Sequence, residues 1–243
     1  MSRFLSPVRS VLAMVVALLL GACAGTTGPF GDSPGSGPAI EAPTYRVGDR
    51  LVYHVRDGFR DPIVYDETHV VTAVGADGIT VRITMKGARV DGERIEKWAA
   101  PGRVLQGSLF DIETRRFAAP LDRYRFPLRT GQRWSQFVDN FNEFTGKEGQ
   151  INRYVRVGAV EKVTTPAGTF DAIRLNVIMR LDDEEFWHWP TDCNYTIWYA
   201  PAVKASVREL KRADYLEKGG RDSIGRLPAQ NATLELVSFT PGT

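Results

Sequence analysis

Two cysteines among 243 residues are too few for a disulfide framework, and three histidines (His54, His69, His188) offer little to a histidine-rich metal site. Net charge is nearly absent. The 31 basic and 29 acidic side chains leave +2, without the clustered basic charge that a nucleic-acid surface needs. No apolar run reaches the roughly 18 residues of a membrane-spanning helix, neither H-E-x-x-H nor C-x-x-C occurs, and long capped helical patterns are scarce. The remainder, 43% hydrophobic and 25% charged, is ordinary globular composition and excludes a wholly disordered or collagen-like chain.

The N-terminus is organised as an address. Residues 1–10 carry Arg3 and Arg9 and no acid; the apolar run Val11–Leu20 follows, and then small residues. A basic start, a short apolar middle and a small-residue exit form the layout of a secretory signal. Ten residues of helix reach only about 15 Å, half of a bilayer's hydrocarbon thickness, so a signal fits better than a permanent span.

Leu20-Gly21-Ala22-Cys23 resembles the lipobox of bacterial lipoproteins, with Gly21 where alanine or serine is commoner. The resemblance implies cleavage before Cys23, diacylglycerol on its sulfur, and an acyl group such as palmitate on the new amine. Three acyl chains at about 0.8 kcal/mol per buried methylene make a firm membrane anchor. Loss of residues 1–22 removes Arg3 and Arg9 and lowers the formal charge from +2 to 0, so attachment falls to the lipid. In enterobacterial lipoproteins an aspartate after the cysteine marks inner-membrane retention. Ala24 stands there instead, which implies delivery to the outer membrane, facing the periplasm.

Residues 24–43 hold five glycines and four prolines and bury little, so 23–43 is expected to be a lipidated cysteine on a flexible tether. Gly31-Asp32-Ser33-Pro34-Gly35 matches the G-x-S-x-G nucleophile elbow in letters only, since the elbow needs a strand before it and a helix after it. Residues 44–243 read as one mainly β domain. Odd positions of Ile173–Leu181 are all apolar, and Val155, Val157, Ala159 and Val163 repeat the alternation with Glu161 as the exception. Asp77-Gly78, Asp91-Gly92 and Pro166-Ala167-Gly168 supply turns. The expectation is an antiparallel curved sheet or open half-barrel with few short helices.

An internal echo bears on its construction. Tyr45–Leu51 resembles Leu128–Trp134, with glycine and arginine in register, and Ile79–Met85 resembles Ile173–Met179. Two related halves would account for this; recurrent alternation in β-rich sequence would as well. Thr165–Ala172 followed by Trp198-Tyr199-Ala200-Pro201 is similar to a PAGTF…WYAP pattern of uncharacterised bacterial envelope proteins, which implies an antiparallel half-barrel over roughly residues 126–212. The likeness to the LolA/LolB carriers is architectural and distant.

Chemistry is sparse. Asp182–Cys193 gathers carboxylates, His188 and Cys193, from which a divalent metal could take His188 and two carboxylates; on a strand, Glu184 and His188 share a face. The plainer reading is a solvated hairpin tip whose Trp187 and Trp189 pack inward or edge a groove. With Cys23 acylated, Cys193 is the sole thiol, and burial would leave it inert. No catalytic, cofactor-binding or metal residue is assigned, and no cofactor is implied. The expected function is a non-enzymatic, lipid-anchored envelope protein whose β-domain binds an apolar ligand or an envelope partner protein. The alternatives are a metal-assisted hydrolase centred on His188 and a structural or assembly factor.

Overall fold

A computed structural model describes residues 31–110, 112–183, 186–218 and 225–243. Cys23 and the signal segment 1–22 lie outside the described residues. The strands are β1 (Ser36–Ile40), β2 (Arg50–Asp57), β3 (Ile63–Gly75), β4 (Gly78–Gly87), β5 (Asp91–Ala100), β6 (Arg103–Gly107) and β7 (Arg115–Asp122). They continue with β8 (Leu128–Thr130), β9 (Arg133–Asn142), β10 (Lys147–Thr165), β11 (Gly168–Asp183), β12 (Thr191–Ala200), β13 (Ala205–Leu216) and β14 (Arg226–Thr240). The helical element among the described residues is one 3-10 turn, Pro201–Val203.

The mainly β, antiparallel expectation holds, but the sheet does not stay open. Twelve strands form a closed barrel in which β7 pairs with β9 and β14 pairs with β2 from Ala232↔Asp57 to Thr240↔Arg50. Closure removes the two edges that a half-barrel would expose. All neighbours are antiparallel, so every second loop lies at the same end. The distal end carries the β2–β3, β4–β5, β6–β7, β9–β10, β11–β12 and β13–β14 connections. The proximal end carries the others, and there the chain leads into β2 and into β9.

The sequence echo corresponds to a structural repeat. Gly48 and Gly131 both take positive φ (+90° and +79°) just before β2 and β9. Gly48 donates to the Val71 carbonyl (2.8 Å) and Val71 to that of Asp49 (2.9 Å); Gly131 donates to Val157 (3.0 Å) and Val157 to Gln132 (2.9 Å). The following side chain closes each turn, Asp49 accepting from the Arg46 amide and Gln132 from the Arg129 amide. Meanders β2–β3–β4 and β9–β10–β11 follow, each with a bulge, after Val71 and after Val157. The second bulge turns Ala159 outward, against its place in the alternation.

Inside, the alternation does what it implies. Ile173, Leu175, Val177, Met179 and Leu181 are all buried, together with Ile151, Val155, Val157, Trp134 and Tyr199. Outside, the same strands present Asn152, Arg156, Asn176, Arg180 and Asn194. This arrangement is the reverse of a membrane-spanning barrel, whose lipid-facing band is apolar.

The tether is shorter than residues 23–43. Ser33 bridges to Arg133 through two 2.9 Å backbone bonds, and Asp32 meets Arg125 (2.8 Å) and the Ser135 amide (3.0 Å). β1 then pairs with β8 while Ile40 packs on the core. Gly35 permits this close approach: its φ is +72°, and a Cβ there would lie 2.6 Å from the Gln132 nitrogen. Glycine and proline here shape a docked ribbon instead of leaving the chain loose.

Candidate functional site

The barrel interior is not uniformly apolar. The repeat places Glu67 on β3 and Arg153 on β10, each four residues before the bulge valine and each facing a methionine across the next strand, Met85 and Met179. Both are buried, Glu67 at 4% and Arg153 at 3% exposure. Around Glu67 are Arg94 (3.2 Å) and His69 (2.8 Å). Glu96 on β5 takes two bonds from Arg123 (3.0 and 3.1 Å) and one from Trp98 (2.8 Å). Glu209 on β13 takes Lys211 (3.2 Å) and Ser206 (2.7 Å). Burial alone would raise each acid. The Arg123 guanidinium outweighs it at Glu96, whose pKa falls to about 2, while Arg94 and then His69 hold Glu67 well below the carboxylate range and Lys211 and then Ser206 lower Glu209.

Two small voids flank this layer, about 80 and 70 Å³, both lined by His69, Arg123, Glu209 and Leu234. At about 30 Å³ per water, each holds two or three water-sized groups, far less than an acyl chain requires. The interior is therefore a filled core carrying a charged layer.

The distal rim has a different character. Among the described residues, ten large apolar side chains are exposed there: Phe59, Ile63, Val64, Ile112, Phe144, Phe186, Trp187, Trp189, Leu216 and Leu227. On the proximal side the exposed ones are four valines, Val47, Val74, Val160 and Val237, with no aromatic among them. The β11–β12 tip is fixed to the β13–β14 side by Trp189 N–H to Leu216 O (2.7 Å) and Lys218 N–H to Trp187 O (2.8 Å). Trp187, His188 and Tyr215 stack within 5.3 Å of one another, and Lys218 sits over Trp189 at 5.3 Å. Below this tip a groove of about 1050 Å³ runs down the outer wall, lined by Trp189, Lys218, Arg116, Arg180, Asp139 and Glu148 among others.

The residues singled out from sequence fare as follows. His188 is exposed in the aromatic stack; Glu184 and Glu185 lie outside the described residues, and among the described residues no three His, Cys, Asp or Glu side chains converge on a metal position. Ser33 anchors the ribbon to β9 and has no strand–helix elbow around it. Cys193 is fully buried beside Tyr195, and burial pushes its thiol up to about 12. In a Cys23→Ala chain, where Cys193 is the only thiol, a maleimide at pH 8 is therefore expected to label unfolded protein fully and native protein very slowly. Labelling of native protein at the rate of a free thiol would contradict this burial. Sequence reasoning misses Glu67, Glu96, Arg123 and Arg153, although Arg153 lies on the inward parity of Val155 and Val157.

Comparison with known proteins agrees on architecture. No protein-family model matches the chain, and no curated protein matches it. Among solved structures, a Bacteroides fragilis protein described as exported, with a YmcC-like fold, is 13% identical; it covers 84% of this chain and 100% of its own, with a TM-score of 0.51. The barrel thus shares its fold with that protein. A Parabacteroides distasonis protein described as a lipoprotein (13% identity, 84% and 100% covered, TM-score 0.49) is also similar. So is the hypothetical lipoprotein YmcC of Escherichia coli (8% identity, 99% and 100% covered, TM-score 0.39).

Proposed function

We propose that this chain is a non-enzymatic, lipid-anchored β-barrel of the cell envelope that holds another envelope protein against its distal rim. The observation that carries the reading is the gathering of exposed aromatic and large apolar side chains at the distal rim, set against the position of the tether. Asp32 is fixed near the proximal start of β9, and eight residues separate it from Cys23, a reach of at most about 32 Å. Lipid on Cys23 would keep the proximal end toward the bilayer and aim Phe144, Phe186 and Trp189 away from it. Exposed apolar residues pointing into an aqueous compartment suit a protein partner. The Bacteroides fragilis protein of like fold is described as exported, in accord with such an address. The small size of the lumen voids favours a protein partner over the apolar ligand that an open half-barrel would hold.

Two measurements test the reading. Metabolic labelling with a fatty-acid analogue is expected to mark the wild-type protein and not Cys23→Ala, and an unlabelled wild type would end the anchor assignment. A photo-crosslinking side chain at Phe144 or Trp189 is expected to give a reproducible adduct in cells that Val74 does not, weakened by Leu216→Glu nearby. Equal adducts at both ends, or none at the rim, would refute the docking surface.

A further inference from the structure

Charge around the 80 Å³ void is unevenly partnered. Glu67 has Arg94, Glu96 has Arg123 and Glu209 has Lys211, while Arg153, lining the same void, donates only to the backbone carbonyls of Asp122 (2.6 Å) and Arg123 (3.3 Å). The Asp122 carboxylate is engaged by Arg103 (3.4 Å) and Arg125 (3.0 Å). Asp57, also on the lining, accepts from the Asn231 amide. Among the described residues, Arg153 has no carboxylate within ion-pair distance.

A guanidinium kept out of water without a counter-charge is costly, and desolvation, with Arg123 nearby, pulls Arg153 down to about 10. Its counterpart in the other half of the repeat, Glu67, has both a cationic and an imidazole partner. A second guanidinium borders the same void: the Arg94 side chain is nine-tenths buried and pairs with Glu67. Two buried guanidinium groups thus line one small cavity. Guanidinium matches planar oxyanions in bidentate fashion.

We infer that this cavity is a binding site for a small free carboxylate, of formate or acetate size, which supplies the missing counter-charge to Arg153. The volume sets the upper size, since two or three water-sized groups fill it. The inference does not depend on the anchor or on rim docking.

The test compares thermal unfolding of the mature protein in sodium acetate and in sodium gluconate at equal ionic strength, gluconate being too large for the void. Titration of ¹³C-acetate followed by NMR supplies the affinity. Acetate is expected to raise Tm saturably and gluconate is not. Arg153→Met should weaken acetate binding at least tenfold while keeping an equal or higher Tm in gluconate, because it removes an uncompensated buried charge. Arg94→Lys, which keeps a positive charge on the lining but removes the planar guanidinium, should weaken binding less. Equal Tm of wild type in the two salts, the result expected of a void that holds only water, overturns the inference. So does an acetate response unchanged in Arg94→Lys and Arg153→Met. Should Arg153→Met fail to fold, the wild-type salt comparison and Arg94→Lys still decide.

Discussion

Arg123→Met is expected to cost about 3–5 kcal/mol of folding stability at neutral pH, the range for removing one partner of a buried ion pair. Methionine retains most of the packing volume, so the loss falls on Glu96. That carboxylate is 3% exposed and takes two of its three side-chain bonds from Arg123. Its pKa, depressed to about 2, fixes the sign of the pH dependence. An acid held below its unfolded value of about 4.3 contributes stability that is complete above that pH and is lost as pH falls toward 2. In Arg123→Met, Glu96 loses most of its reason to stay ionised and takes up a proton at higher pH. The gap between wild type and variant should therefore be widest near pH 7 and narrow toward pH 3. Arg123→Met/Glu96→Met, which removes both charges, should recover most of the loss. Denaturant midpoints for the three variants at both pH values measure this. A single-variant cost under about 1 kcal/mol, or a double variant no better than the single, would mean that the layer does not stabilise the barrel.

That layer also marks where sequence reading stops. Period-two alternation fixes which residues of β11 face inward, and all five odd positions from Ile173 to Leu181 are buried. Alternation is a local property of the pleat and is legible within one strand. Closure is not local: it depends on β14 meeting β2, whose partners Leu236 and Tyr53 are 183 residues apart, and nothing in either strand announces the other. Bulges hide in the same way, so alternation puts Ala159 on the inward parity of Val155 and Val157, while the chain turns Ala159 outward. The charged layer is hidden by a habit of inference that assigns polar residues to the outer face. Arg153 breaks that habit while keeping the parity of Ile151 and Val155, and a charged residue on an apolar parity is the one available signal. The tether misleads for a related reason. Glycine and proline exclude regular helix, but they do not exclude docking, and Gly35 is the residue that lets the ribbon approach Gln132.

The repeat supplies its own controlled comparison. Gly78 and Gly168 stand at equivalent positions, each opening the last strand of its meander with positive φ, +105° and +130°. Alanine at either should cost about 1–2 kcal/mol from the backbone alone, since L-residues are strained in that region. The surroundings then separate them. A Cβ on Gly168 meets nothing nearer than the Phe170 ring at 3.9 Å, whereas one on Gly78 would lie 2.1 Å from the Trp98 carbonyl oxygen. A backbone carbonyl cannot swing aside as a flexible side chain can, so β5 must move. Trp98 packs edge-on against Tyr45 at 5.2 Å and donates to Glu96, and the displacement thus reaches the buried ion pair. Gly78→Ala is expected to cost roughly 3–5 kcal/mol, adding the strained layer to the backbone term, with an altered Trp98 environment in near-ultraviolet circular dichroism. Gly168→Ala should leave that spectrum unchanged. Equal losses at the two glycines would show that the turns, and not the contact between β4 and β5, set the cost.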